Sequence, residues 1–350
     1  MNKAIAAVAC VLVSVVCPWA LAAPPTFSLT ELRSAPGTSD CEPRALGRGG
    51  VVGFCAARGA AFPTFATVWS GGRTIRLETT LASSRAFAMN YSGMIVGMTA
   101  QAAEQFHPVM WLSATQGSRS LPVLSSYGVA FAVNAGGEIV GSATVADGTH
   151  AVLWKNRVIR DLGTLGGSVS EAYGINDSGI IVGYSQVEKG SCGARCTGRH
   201  AVFWTRGGPP TALAGLTGDP QFQYTSTANA INGAGTIVGE AQTSTGQSHA
   251  VSWTGGQVTD LATLGGDTSN ALAINSLGHI VGSASDSKRS VAALWENGTL
   301  WDLNKLLTPA NAQVYLTEGR AINDSDQIVA LGFSPGRDDS RHVYLLQPIS

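Results

Sequence analysis

Charge is scarce in this chain. Only 13% of its 350 residues are charged and the formal net charge is −1. Without a basic surplus or a polybasic run, neither nucleic acid nor an anionic membrane surface is an expected partner. No H-E-x-x-H and no Ser-x-Asp-x-Gly-x-x-x-Trp box occurs, so the hydrolytic chemistries built on those frames have nothing to rest on. Carboxylates are scattered, and no acid pair for glycoside chemistry stands out. Helical periodicity is missing throughout. So is the glycine run opening a helix, with a lysine at fixed spacing, that a phosphate loop needs.

Long apolar runs are missing too, apart from the first residues. Met1–Ala22 reads as a secretory signal peptide. Lys3 is its positive region, Ala4–Cys17 its short apolar stretch, and Ala20-Leu21-Ala22 the small residues of a cleavage site. The expected organisation is therefore residues 1–22 as signal peptide, cleaved after Ala22, and 23–350 as one exported domain, secreted or periplasmic, with no membrane span. Cysteine is sparse as well. Cys41, Cys55, Cys192 and Cys196 follow the leader, an even number that suggests disulfides in an exported chain. Local pairing, Cys41–Cys55 and Cys192–Cys196, is the simplest arrangement. A metal site at Cys192 and Cys196 is the rival, with His200 as the nearby histidine.

What the chain does have is a repeated phrase. INDSGIIVG at Ile175–Gly183 recurs from Met89, Val133, Ile231, Ile274 and Ile322, with a worn copy, ALGRGGVVG, at Ala45–Gly53. Self-similarity at this pitch determines the architecture before any single residue is weighed. Within one copy, Asn176-Asp177-Ser178-Gly179 suits a tight turn, with Asn first and Gly fourth. Ile180-Ile181-Val182 is β-branched, and its continuous apolarity predicts a strand covered on both faces. HAVFW at His200–Trp204 predicts a third strand. VIRDL at Val158–Leu162 and VTDL at Val258–Leu261 show the fourth most clearly. The unit is a four-stranded antiparallel meander repeating every 42 to 56 residues between turn asparagines, the pitch of propeller blades.

FSLTEL, at Phe27–Leu32, matches the fourth-strand pattern, whereas the last copy ends after its third strand. The N-terminal strand is therefore expected to complete the last blade and remove the exposed edges. The expectation is an all-β, seven-bladed β-propeller of four-stranded antiparallel blades. An open β-solenoid is the runner-up.

The frame IN…G.IVG, HA..W and DLGTLGG resembles the HAF-type extracellular repeat family of bacteria. DLGTLGG stands at Asp161–Gly167 and DLATLGG at Asp260–Gly266, and the tail from Asp302 is similar to that family's C-terminal repeat. The first copy departs with Leu46 in place of Asn, the last with Asp326 and Ala330 in place of Gly. The resemblance implies an exported, propeller-like repeat protein and no established activity.

Five of six histidines share one repeat position: His107, His150, His200, His249 and His342. Equivalent positions point around a ring and do not converge on one ion. A hydrogen bond within each blade, to the fourth-strand Asp or to backbone, is the expected role. The six repeat tryptophans, Trp69 to Trp295, are expected to pack between blades. Asp161 and Asp260 lack the neighbouring acids that calcium would need.

Loop length varies where the repeat does not, in Tyr184–Arg199, Ala214–Thr227 and Asn304–Gly319. These loops are expected on one face, with Arg85, Glu171 and Glu318 near the channel mouth as candidate binding residues. The expected function is a non-catalytic binding or scaffold module, without cofactor or metal, monomeric, whose partner is a surface glycan or protein. The alternative is a propeller enzyme, hydrolase or lyase, acting on extracellular polysaccharide.

Overall fold

The computed structural model describes residues 24–102, 105–188, 198–206, 208–217, 224–311, 313–334, 336 and 341–349. The leader and the Cys192–Cys196 pair therefore lie outside the described residues, as do parts of all three variable loops.

The described chain is a ring of β-meanders. Each unit begins on an inner strand, turns at the asparagine phrase, and steps outward strand by strand. Ser83–Met89, Ile95–Ala100, Phe106–Trp111 and Arg119–Ser120 form one such sheet, paired antiparallel in that order. The sheets opening on Thr38–Gly47, Ser226–Ile231 and Ser269–Ile274 repeat the plan. In the last sheet, Tyr315–Ile322, Ile328–Phe333 and His342–Pro348 are completed by Phe27–Leu32, which pairs antiparallel with His342–Pro348. The N-terminal strand thus fills the fourth place, as its sequence suggested.

The fold is an all-β propeller, but seven separate blades are not what forms. Five blades are independent four-stranded sheets, and the other eight strands make a single sheet. Its two meanders, from Gly128 and from Gly166, meet through one parallel pairing, Thr149 with Val169. The short connection after Ile139–Val145 brings Gly148 so close that a Cβ there would lie 1.9 Å from the Ser168 carbonyl oxygen. Glycine at that position lets two neighbouring backbones touch at the rim. The other regular elements described are short 3-10 turns at Leu303–Leu306 and Pro309–Asn311.

The repeated Ile-Val explains the core. Successive strand residues point to opposite faces, so Ile95 packs with the preceding sheet's Val52 and Val68, whereas Val96 packs with Ala130, Ile139 and Trp154 of the following one. Each unit therefore buries both faces, and the core lies between units. The ring closes in the same way: Cys41, Val51 and Trp69 of the first sheet pack with Val329, Leu331 and Val343 of the last. Cys41 and Cys55, opposite each other on adjacent strands, are joined in a disulfide.

Each repeat tryptophan is buried and bonds the preceding unit's outer strand or link. Trp111 Nε1 donates to the Glu78 carbonyl at 2.7 Å, and Trp204 Nε1 to the Leu162 carbonyl at 3.0 Å. Two of the repeat histidines pair inside their own blades, His150 with Asp161 and His249 with Asp260, both at 2.9 Å. His342 reaches Glu31 on the N-terminal strand at 3.1 Å, so that strand also supplies the fourth-strand acid.

Candidate functional site

The chain's most informative irregularity is a β-bulge that every inner strand carries. Register slips by one residue between Ala86 and Ala88, between Ala130 and Ala132, and between Ala172 and Gly174. The same slip falls between Ala228 and Ala230, Ala271 and Ala273, Pro43 and Ala45, and Gly319 and Ala321. A bulge re-aims the extra side chain. The small flanking residues let inner strands crowd together, and the residue between them is turned to the axis.

The glycine of the IVG phrase belongs to this device. A Cβ on Gly97 would lie 1.9 Å from the Arg85 carbonyl oxygen, and one on Gly183 equally close to that of Glu171. The bulge pushes a carbonyl into the space a side chain would fill. In the last sheet the pair is reversed, Ala330 opposite Gly319, so one glycine per bulge is retained.

Seven bulge residues line one axial channel of about 420 Å3: Arg44, Phe87, Phe131, Tyr173, Asn229, Leu272 and Arg320. Their chemistry is segregated. Phe87 and Phe131 lie with ring centroids 5.5 Å apart, and Phe131 and Tyr173 5.3 Å apart, giving a continuous aromatic arc. Arg44 and Arg320, on the first and last inner strands, form the cationic side. The Arg44 guanidinium stands 5.3 Å from the Phe87 ring centroid. It lies deep within the ring yet is exposed to the channel lumen. Burial, and next the neighbouring Arg320, hold its pKa below the usual arginine value, but not far enough to discharge a guanidinium at neutral pH.

The candidate residues Arg85, Glu171 and Glu318 each lie two positions before a bulge, the next step along the channel wall. Arg85 and Glu171 share a cleft of about 390 Å3 with Met98, Phe106, Tyr127 and Val129. Glu318 is separate from them and bonds Arg320 at 3.0 Å. Arg320 also holds Glu42 at 3.0 Å, and Arg341 holds Glu42 from the far side at 2.6 Å. Glu171 accepts from the Tyr173 hydroxyl at 2.6 Å. Burial pushes both Glu171 and Glu318 above the usual carboxylate range, Tyr173 opposing this at the first and Arg320 at the second. Burial likewise lowers the pKa of Arg85, whose guanidinium lies 4.8 Å from the Phe54 ring centroid.

The variable loops differ from their expected bounds. Tyr184–Val187 still belongs to a strand, Ser226 and Thr227 already belong to the next inner strand, and Tyr315–Gly319 is already inner strand. No cluster of three or more metal-ligating side chains occurs among the described residues. No helix among them is long and apolar enough to cross a membrane.

The residues between the small pairs were missed by sequence reasoning, which read Ala86 and Ala88 and their counterparts and passed over what lay between. The available clue is that these positions run Arg, Phe, Phe, Tyr, Asn, Leu, Arg while their neighbours stay small.

No family model matches the chain, and no curated protein matches it in sequence. Among solved structures, the β-propeller domain of the Trilobed protease from Pyrococcus furiosus is similar over 90% of this chain and 94% of that one, at 11% identity and TM-score 0.57. YCF48 bound to D1 peptide is similar over 93% of this chain and 97% of that one, at 12% identity and TM-score 0.50. TolB from Acinetobacter baumannii aligns over 71% of this chain at 13% identity and TM-score 0.47, and the chain spans 61% of the TolB length. The first two likenesses establish the propeller fold and nothing about activity. The Pyrococcus domain has an open Velcro topology, whereas here Phe27–Leu32 pairs onto His342–Pro348.

Proposed function

We propose that this protein is an exported, non-catalytic binding module of the bacterial cell surface or periplasm, a member of the HAF-type repeat family. Its ligand enters the axial channel from the face that carries Arg85, Glu171 and Glu318. In this reading each half of the eight-stranded sheet counts as one blade, so that seven repeats correspond to seven blades.

The observation that carries the reading is where the repeats differ. Scaffold positions recur from unit to unit, while the bulge side chains that line the channel change in charge, size and polarity. Variable side chains on a rigid ring are the usual arrangement of a recognition site. The carboxylates Glu42 and Glu318 are held by arginine, and Glu171 by Tyr173, which suits ordered recognition. The Cys41–Cys55 disulfide supports export to an oxidising compartment.

The test is a screen of the protein lacking residues 1–22 against arrayed glycans and immobilised peptides, with and without reducing agent. Capture that is weakened by replacing Arg85 and Glu171, with the thermal midpoint unchanged, supports the reading. Turnover of a polysaccharide during the screen, or capture that ignores both replacements, contradicts it.

A further inference from the structure

Arg44 differs from the other cations of its cluster. At that end of the channel Arg320 is bonded to Glu42 and Glu318, and Arg341 to Glu42. Among the described residues Arg44 makes no ion pair within 4.0 Å, and its contact is the face of Phe87. A guanidinium presents five donors in a planar fork suited to a carboxylate. Here that fork is exposed to the lumen, and the Phe87 ring supports it.

The rest of the lumen limits what could carry such a carboxylate. Beside Arg44 runs the arc Phe87, Phe131 and Tyr173, whose rings meet at 57° and 72°. The lumen is lined there by aromatic surface, against which apolar and aromatic side chains pack well. Across the ring, Leu272 adds an apolar wall, and Asn229 points a polar side chain whose Nδ2 is already engaged by Asn270 and Ala271. Glu240 and Arg199 also face this space, the first hydrogen-bonded by Ser248 and the second with its guanidinium 4.1 Å from the Tyr184 ring centroid.

We infer that the channel takes a carboxylate borne on an apolar or aromatic body, as at the C-terminus of a peptide, with the carboxylate on Arg44 and the apolar group against Phe87 and Phe131. This rests on the binding reading above and supplies its ligand class. A free aryl carboxylic acid shares the chemistry.

The test is calorimetry on the protein lacking residues 1–22, using N-acetyl-Leu-Phe, its C-terminal amide, 3-phenylpropionate and a galacturonate trimer. The expected result is that the peptide acid binds at least about tenfold more tightly than its amide. Arg44→Gln abolishes that preference, and Arg44→Lys, which keeps charge without the fork, retains part of it. Circular dichroism and the thermal midpoint of both variants should match the parent, because Arg44 is exposed at a bulge. Binding of phenylpropionate as tight as that of the peptide acid supports the inference and identifies a free acid as the source. Equal binding of acid and amide, an unaltered preference in Arg44→Gln, or no binding of either acid overturns it. Binding of the galacturonate trimer alone also overturns it while leaving the binding module standing. Failure of every probe here and in the array screen removes both.

Discussion

Asn176 is fastened to the turn of the next repeat. Its Nδ2 donates to the Asn232 carbonyl at 3.2 Å while its Oδ1 accepts from the Ile180 N–H at 3.0 Å. The same link runs from Asn90 to Asn134, from Asn134 to Asn176, from Asn232 to Asn275 and from Asn275 to Asn323. One amide thus closes its own turn with its acceptor and joins the neighbouring turn with its donor.

Asn176→Ala leaves the part-buried Ile180 N–H without its partner and the Asn232 carbonyl with only the Gly235 N–H, at 3.1 Å, and is expected to cost about 1–3 kcal/mol in stability. Asn176→Asp keeps the acceptor and loses the donor, and should fall between the parent and alanine. Urea midpoints of the three proteins check the order. Equal midpoints would remove the inter-repeat link from the account.

Phe27 tests closure of the ring. It is 1% exposed and packs in one cluster with Leu303, Leu306, Leu316 and Leu346. Phe27→Ala should cost about 3–5 kcal/mol, the range for truncating a buried aromatic. Amide exchange should show the extra opening in His342–Pro348 first. A variant as stable as the parent would mean that the N-terminal strand contributes little to the last sheet.

Stability against pH should follow carboxylates shifted in opposite directions. Glu138 is bonded by Lys155 at 2.7 Å and Asn134 at 2.9 Å, which hold its pKa below the ordinary value. Glu138 Oε2 also lies 3.6 Å from Arg206 Nη2. Its contribution is full above the unfolded carboxylate pKa and is lost as pH falls through the lower folded value. Glu171 and Glu318 do the reverse. Burial raises them, so the folded state holds their protons longer and stability falls as pH rises from the unfolded value through the folded one. Glu171→Gln should flatten that fall, whereas Glu138→Gln should remove the loss in acid. Urea midpoints measured from about pH 3 to 8 separate the two windows.

The Tyr173 hydroxyl can be removed without disturbing the bulge. Because its hydrogen bond holds the Glu171 pKa down against burial, Tyr173→Phe should raise the Glu171 pKa further. Carboxyl-carbon NMR titration reads this directly. A downward or absent shift would show that the bond does not favour the charged form.

The sequence made the meander, the closing strand and the histidine–acid pairs legible, because each repeats on a fixed beat. His150 and Asp161 stand at the same offset as His249 and Asp260, so one pair predicts the other. The tryptophans were read as packing between blades, but their indole bonds to the preceding unit, Trp111 to Glu78 for example, span 33 residues and leave no local trace. The joined sheet at Thr149 and Val169 depends on a backbone approach at Gly148 that no hydrophobic pattern records. Asp326 shows what an apparent defect can conceal. It takes the left-handed turn position that glycine holds elsewhere, at φ 55°, and bonds Asn275 and His279 of the neighbouring unit, each at 2.8 Å. The channel residues were hidden for the opposite reason. They break the repeat, and only the bulge reveals that all seven point to one space.

The most direct test is to compare ligand capture by channel and rim variants on the same glycan and peptide arrays. Phe131→Ala and Arg44→Gln alter the lumen, whereas His150→Gln alters only an outer pair. The account predicts that both lumen variants lose capture while His150→Gln retains it, all three keeping the parental circular dichroism spectrum. Capture that survives both lumen variants, or is lost with His150→Gln, would contradict it.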